Sequence, residues 1–208
     1  MLASIRKMLV LGLALSFVSS GALLAQEQPK PVVEKTVQDA LKILRDGKLK
    51  GDRKLRVAKL REVADRTFDW EGMAKSSLGA PWRTLNDAQR RDFVEVFKEL
   101  LAQRYMDDLD RFQGSEELTV GNAEQQGELA VVKTTLFTVS REQIPIDYTL
   151  RLEGGKWRAQ DISIEGISLV NHYRKTFARF LTNKSFDQLL QQLKTKLGSA
   201  GAGGTKEL

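Results

Sequence analysis

Residues 147–177 constrain the fold more than any other part of the chain. Apolar and polar residues alternate across residues 148–152, which is the period of a half-buried β-strand. Two adjacent glycines follow within residues 153–156, and glycine adopts the positive φ of a tight turn without strain. Trp157 then opens a second strand, so this stretch predicts an antiparallel β-hairpin.

The second strand of this hairpin changes phase in its middle. Trp157 and Ala159 have one parity, whereas Ile162 and Ile164 have the other. A strand can bury all four on one face only if an extra residue lies between the two pairs. We therefore predict a β-bulge at residues 160–161.

A helical period replaces the strand period after Gly166. Leu169, Tyr173, Phe177 and Phe180 form one apolar stripe. A bent sheet that leads into such a helix creates a concave apolar surface.

The N-terminus has the pattern of a secretory signal peptide. Arg6 and Lys7 precede an apolar run at residues 8–18, and small residues follow with possible cleavage after Ala22 or Ala25. The run is too short for a comfortable membrane span. We take residues 1–25 as the signal peptide, which predicts an exported protein. The chain has no cysteine, so its fold cannot depend on disulfides.

Residues 26–197 are predicted to form one domain with helices at both ends and strands between them. Capping-box spacing marks helix starts at residues 86–89 and 185–188. Asp69 is a suitable N-cap for a short helix, and Gly79 is a suitable stop. Residues 198–208 are glycine-rich and predict a flexible tail.

Four strands are expected at residues 117–120, 128–139, 144–152 and 156–164, followed by a helix from about residue 167 to residue 181. Short connections between the strands imply an antiparallel arrangement. The sequence thus predicts an α+β fold, a curved antiparallel sheet of about four strands packed against several helices. This layout resembles the nuclear-transport-factor-2-type (NTF2-like) architecture.

Charge and residue types exclude several functions. The 33 Lys and Arg residues against 27 Asp and Glu residues give a net charge of +6, with both signs mixed along the helices. No basic stripe interleaved with aromatic residues points to nucleic acid. A single histidine and no cysteine make a zinc site implausible, and no G-x-S-x-G nucleophile motif is present.

Asp161 has two possible roles at the predicted bulge. A carboxylate inside an apolar pocket can acquire a raised pKa and act as a base. The alternative is a polar bulge residue that hydrogen-bonds to backbone. A similar choice applies to the apolar faces, because sequence alone does not distinguish a filled core from a hollow one.

Five segments carry a family resemblance. They are F-D-W-E-G-M-A-K-S-S-L-G at residues 68–79 with Trp82, F-V-E-V-F-K-E-L-L at 93–101, P-I-D-Y at 145–148, G-K-W at 155–157 followed by Asp161, and I-E-G-I-S-L-V at 164–170 with Tyr173 and Arg174. Together they resemble the MlaC family, the periplasmic phospholipid-binding proteins of the Mla pathway, also called toluene-tolerance proteins.

The resemblance implies a soluble periplasmic carrier that is not an enzyme and that needs no cofactor or metal. Members carry glycerophospholipid between an outer-membrane lipoprotein–porin complex and an inner-membrane ABC transporter with an MCE-domain subunit, which maintains outer-membrane lipid asymmetry. We expect a monomer with acyl chains in an apolar pocket between sheet and helices. The expected lipid-binding residues are Phe97, Leu101, Tyr105, Tyr148, Leu150, Trp157, Ile162, Leu169, Tyr173 and Phe177.

Two alternatives remain open at this point. One is an NTF2-like lyase or isomerase with Asp161 in the pocket. The other is an interaction module with a solid interior.

Overall fold

The computed structural model describes residues 27–110, 112 and 114–200. The expected signal peptide and residues 201–208 of the expected tail lie outside this part of the chain. Within it, six α-helices accompany one five-stranded antiparallel sheet with the strand order β1-β2-β3-β4-β5. The bounds are α1 Pro29–Arg45, α2 Arg53–Thr67, α3 Trp70–Leu78, α4 Asp87–Asp110, β1 Glu117–Gln126, β2 Leu129–Phe137, β3 Gln143–Glu153, β4 Lys156–Ile164, β5 Ile167–Ser168, α5 Leu169–Leu181 and α6 Phe186–Ala200.

The predicted α+β class with a curved antiparallel sheet is confirmed. The helix starts also follow the predicted capping signals. The amide of Asn86 donates to the side chain of Gln89, and the amide of Gln89 donates back to the side chain of Asn86 at 2.9 Å. Ser185 and Gln188 repeat this reciprocal pair at the start of α6. Each pair satisfies two amides that the helix itself leaves without partners.

The predicted bulge in β4 is confirmed. Thr149 lies opposite Asp161 and Leu150 lies opposite Ala159, so Gln160 is the extra residue. The insertion places the apolar residues on both sides of it on one face of the sheet, which we call the inner face. A second register shift interrupts β1 between residues 120 and 123. Bulges bend the strand that carries them, so two of the five strands are bent.

Three element boundaries differ from the sequence prediction. β1 continues to Gln126, beyond the expected end at residue 120. A fifth strand forms where a helix start was expected, because Glu165 and Gly166 turn the chain at positive φ and Ile167–Ser168 return along β4. The C-terminal helix α6 reaches Ala200, two residues past the expected start of the tail at residue 198.

The buried apolar residues form two clusters. The sheet cluster lies between α1 and the inner face and contains Val33, Val37, Ala130, Val132, Tyr148, Leu150, Trp157 and Ala159. The helical cluster joins α3, α4, α5 and α6, and its members include Met73, Ala74, Leu78, Trp82, Phe93, Phe97, Leu101, Tyr173, Phe177, Leu189 and Leu193. Phe68 packs against both clusters, so it marks their junction.

The residues before α3 attach the helical part of the protein to the edge of β4 that does not pair with β3. The amide of Asp69 donates to the carbonyl of Ala159 at 2.9 Å, and the carboxylate of Asp69 accepts from the side chain of Gln160 at 3.1 Å. The same carboxylate caps α3 by accepting from the amide of Gly72 at 2.9 Å. A Cβ atom at Gly72 would lie 2.0 Å from the Asp69 carboxylate, so only glycine permits this cap.

We expect Gly72→Ala to destabilise the protein by about 1–2 kcal/mol, because the new methyl group displaces the capping carboxylate. The measurement is the free energy of unfolding in urea. Gly198→Ala in α6 is the matched control, since a Cβ there meets nothing within 4 Å and alanine favours a helix over glycine. Equal effects of the two substitutions would contradict this account of the cap.

Candidate functional site

Helix α1 crosses the inner face diagonally. Just before α1 begins, the carbonyl oxygen of Glu27 accepts a hydrogen bond of 2.6 Å from the indole N–H of Trp157, which lies at the start of β4. At its end, the guanidinium of Arg45 donates to the carbonyl of Glu116, next to β1, at 2.7 Å. The helix therefore covers the diagonal from the start of β4 to the start of β1 and leaves the two other corners of the inner face uncovered.

The two uncovered corners differ in polarity. One lies at the end of β1 and carries Gln125, which is exposed and stands opposite Ala130. The other lies where β3 begins and β4 ends, and we call it the open corner. Its residues share the inner face because they are directly paired across the strands or alternate along them. The open corner consists of four half-buried isoleucines, Ile144, Ile146, Ile162 and Ile164.

Helix α5 begins beside the open corner. Strand β5 pairs with Ser163 and Ile164, and α5 follows it directly. Leu169 and Tyr173 are buried on the first turns of this helix. The open corner is thus bordered by α5 on the side of the sheet edge.

Helix α4 approaches the same region from the helical cluster. The ring of Phe97 packs edge-to-face on Tyr173 with 5.5 Å between the centroids. Leu101 is buried one turn further along α4, and Tyr105 is near enough to influence the pKa of Tyr173. Helix α4 therefore contacts α5, the helix that borders the open corner.

Nine of the ten residues expected to bind lipid divide between the clusters, and Leu169 is buried but belongs to neither. Phe97, Leu150 and Phe177 have no exposed surface, and Trp157 is almost as deeply buried, so these four form filled core. The other six lie nearer the border and are Leu101, Tyr105, Tyr148, Ile162, Leu169 and Tyr173. No observation here tests their contact with a ligand, and that part stays a prediction.

Sequence reasoning missed three members of the open corner, Ile144, Ile146 and Ile164. The signal was available, because Ile144 and Ile146 have the same parity as Tyr148 on β3. The bulge places Ile164 opposite Ile146 on the same face.

Two phenols near this region are uncharged over the ordinary pH range. Burial raises the pKa of Tyr148 to about 12. Burial also raises the pKa of Tyr173 to about 12, with a further contribution from Tyr105. Neutral phenols and isoleucine side chains make a surface suited to hydrocarbon and not to charged substrates.

Asp161 lies on the outer face and fixes the start of α5. Its carboxylate accepts from the hydroxyl of Ser168, and it accepts from the amide of Val170 at 3.1 Å. The hydroxyl of Ser168 in turn caps Asn171. The sequence left two roles open for Asp161, a base in a pocket or a polar residue that hydrogen-bonds to backbone. The geometry matches the second role, because the carboxylate oxygens face a helix terminus.

Residues 27–110, 112 and 114–200 offer neither a metal-binding cluster nor a membrane-spanning helix. Among these residues, no group of three or more His, Cys, Asp or Glu side chains could hold a metal ion. None of the described helices combines the length and apolar character needed to cross a membrane.

Comparisons with known proteins give consistent relatives. The model of a family described as MlaC protein matches residues 34–195. The toluene tolerance protein ttg2D of Pseudomonas putida is 27% identical over 158 residues, which cover 74% of this chain and 73% of that protein. The solved structure of a phospholipid-binding protein from Ralstonia solanacearum, in complex with a phospholipid, matches with a TM-score of 0.78 and 20% identity. The match covers 84% of this chain and 99% of that one.

The buried phenols predict how stability depends on pH. A phenol with a raised pKa in the folded state keeps its proton while the unfolded chain releases it, so stability is fully present below pH 10 and falls as pH rises towards about 12. We expect the urea midpoint to fall across this window. Tyr148→Phe and Tyr173→Phe should each remove part of the fall, and phenolate absorbance should show late titration of both. Titration of all three tyrosines near pH 10 would contradict the burial of Tyr148 and Tyr173.

Proposed function

The chain belongs to the MlaC family, since the family model matches residues 34–195, and from this premise we propose that it is a phospholipid-binding protein that carries glycerophospholipid through the periplasm. It would act by binding, not by catalysis. The name of the Pseudomonas putida relative and the phospholipid complex of the structural neighbour support this proposal.

The observation that carries the proposal is the open corner. Four isoleucines stay half-buried on the inner face although neighbouring inner-face residues are covered by α1. A soluble protein gains stability by burying such side chains, at about 25 cal/mol for each Å² of apolar surface. We propose that acyl chains cover them and extend along the interface between the two clusters.

Six of the ten expected residues would border the lipid: Leu101, Tyr105, Tyr148, Ile162, Leu169 and Tyr173. We propose that Ile144, Ile146 and Ile164 join them. Phe97, Leu150, Trp157 and Phe177 would hold the surrounding elements in place, since they are buried in the cores beneath.

Physical chemistry explains why such a carrier would be needed. Burial of one methylene is worth about 0.8 kcal/mol, so two chains of roughly sixteen carbons represent about 25 kcal/mol. A phospholipid therefore cannot leave a membrane bare at a useful rate. A carrier whose interior is about as apolar as a bilayer makes the exchange nearly balanced.

We propose the remaining steps by analogy with the family. The signal peptide would direct export, and the mature protein would be a monomer in the periplasm. It would exchange phospholipid with an outer-membrane lipoprotein–porin complex and with an inner-membrane ABC transporter that has an MCE-domain subunit. The result would be maintenance of outer-membrane lipid asymmetry.

The direct test is organic extraction of the folded, purified protein followed by mass spectrometry. We expect co-purified glycerophospholipid in near-stoichiometric amount. Protein that carries no lipid when purified and takes up none from vesicles would overturn the proposal.

A variant locates the site. Ile162→Trp adds bulk at the open corner and should lower the phospholipid content several-fold while the protein stays folded. Thr119→Trp is the matched control, because Thr119 is exposed on the outer face of β1. Equal lipid content in both variants would show that the acyl chains lie elsewhere.

Asp161→Asn distinguishes the carrier from a lyase or isomerase. The carrier account expects a loss of about 1–2 kcal/mol in stability, since a charged acceptor at the start of α5 is weakened, and unchanged lipid content. Asp147→Asn, on the same outer face of the sheet, is the control for charge alone. A folded Asp161→Asn variant that has lost all function would favour the enzyme.

A further inference from the structure

Two segments that pack together in the structure contain basic residues and no acidic residue. They are residues 72–86 and 166–186, and α3 and α5 lie mainly within them. Six of the 33 Lys and Arg residues fall here, and the 27 that remain are matched by 27 Asp and Glu residues. These six residues are Lys75, Arg83, Arg174, Lys175, Arg179 and Lys184.

The two segments pack together, so their charges share one part of the surface. Helix α3 lies against α5. The guanidinium of Arg174 lies beside Gly79, since a Cβ atom at Gly79 would be 3.5 Å from its Nε. Gly79 ends α3 one turn after Lys75. We call the six exposed side chains named above the basic surface.

The charges of the basic surface are not neutralised by neighbours. None of the six side chains forms an ion pair or a side-chain hydrogen bond with another residue of the described part of the chain. By contrast, α2 and α4 are joined by Arg61–Glu99 and Lys98–Asp65 pairs. The acidic residues that flank the two segments in sequence are Glu71, Asp87, Glu165 and Asp187.

Helix α5, which carries three residues of the basic surface, begins beside the open corner. Helix α5 starts at the sheet edge where β4 ends, and Lys175 and Arg179 lie on its exposed side, away from Tyr173 and Phe177. Two exposed apolar side chains lie at the end of the sheet where β2 and β4 end. Ile167 is 62% exposed in β5, and Val139 is 50% exposed in the turn between β2 and β3.

We propose that the basic surface docks the protein on the anionic head groups of a phospholipid bilayer, with Ile167 and Val139 at the boundary of the acyl layer and the open corner facing the membrane. This inference rests on the proposed function and adds the surface from which cargo would be exchanged. Each Lys or Arg near an anionic membrane contributes roughly a fivefold gain in binding, and apolar side chains anchor at the interface.

A bilayer fits these observations better than an acidic protein. The six charges are unpaired and spread over two helices and their flanking turns, which suits a fluid array of head groups that can rearrange beneath them.

The experiment measures binding of the mature protein to vesicles of phosphatidylcholine alone and to vesicles that also contain phosphatidylglycerol. We expect binding only to the anionic vesicles, with loss at high salt because the charges are screened. The triple variant Lys75→Gln, Lys175→Gln, Arg179→Gln should bind about a hundredfold more weakly. The control triple Lys48→Gln, Lys50→Gln, Lys54→Gln changes the net charge equally at exposed sites around the α1–α2 turn and should bind like the wild type.

Two outcomes would overturn the docking surface. One is wild-type protein that does not prefer anionic vesicles. If, in addition, the Lys75 triple variant loses only lipid transfer to a protein acceptor, the basic surface serves that protein and not a bilayer. The other is equal loss in both triple variants. The phospholipid content of each variant is measured in parallel. Protein that contains lipid but does not bind anionic vesicles would contradict the docking proposal and leave the proposed function intact.

Discussion

Three consecutive residues of β4 join the sheet to the helices at its edge. The carbonyl of Ala159 and the side chain of Gln160 bind Asp69 before α3, and the carboxylate of Asp161 binds the start of α5. Gln160 is also the bulged residue that returns the later part of β4 to the inner face. If β4 kept strict alternation through Gln160, with no bulge, Ile162 and Ile164 would face outward and Asp161 would face inward. The positions of the open corner, α3 and α5 therefore depend on this bulge.

The separation into two cores follows from this arrangement. Helix α1 covers the sheet along one diagonal, while α3 to α6 form their own core beside β4. Between them lies an interface bordered by isoleucines, leucines and neutral phenols, and Phe68 contacts both sides. Under the proposed function, acyl chains would enter this interface while the buried aromatic residues hold each core together.

Some features could be predicted from sequence because they depend on local rules. The phase change after Ala159 predicted the bulge, and the spacing of Asn86 and Gln89 predicted a reciprocal cap. The path of α1 could not be predicted, since it is fixed by contacts such as Glu27 to Trp157 between residues far apart in the chain. For the same reason, sequence placed Phe97 and Trp157 in one pocket, although they belong to different cores.

The central claim is that acyl chains lie against the open corner. Isoleucine-methyl NMR with a phospholipid that carries a nitroxide on its acyl chain tests it directly, because the spin label broadens only nearby methyl signals. The account predicts broadening of Ile146, Ile162 and Ile164, with Ile43 on α1 unaffected. Sharp signals from the open corner in the lipid-bound protein, or equal broadening of Ile43, would contradict it.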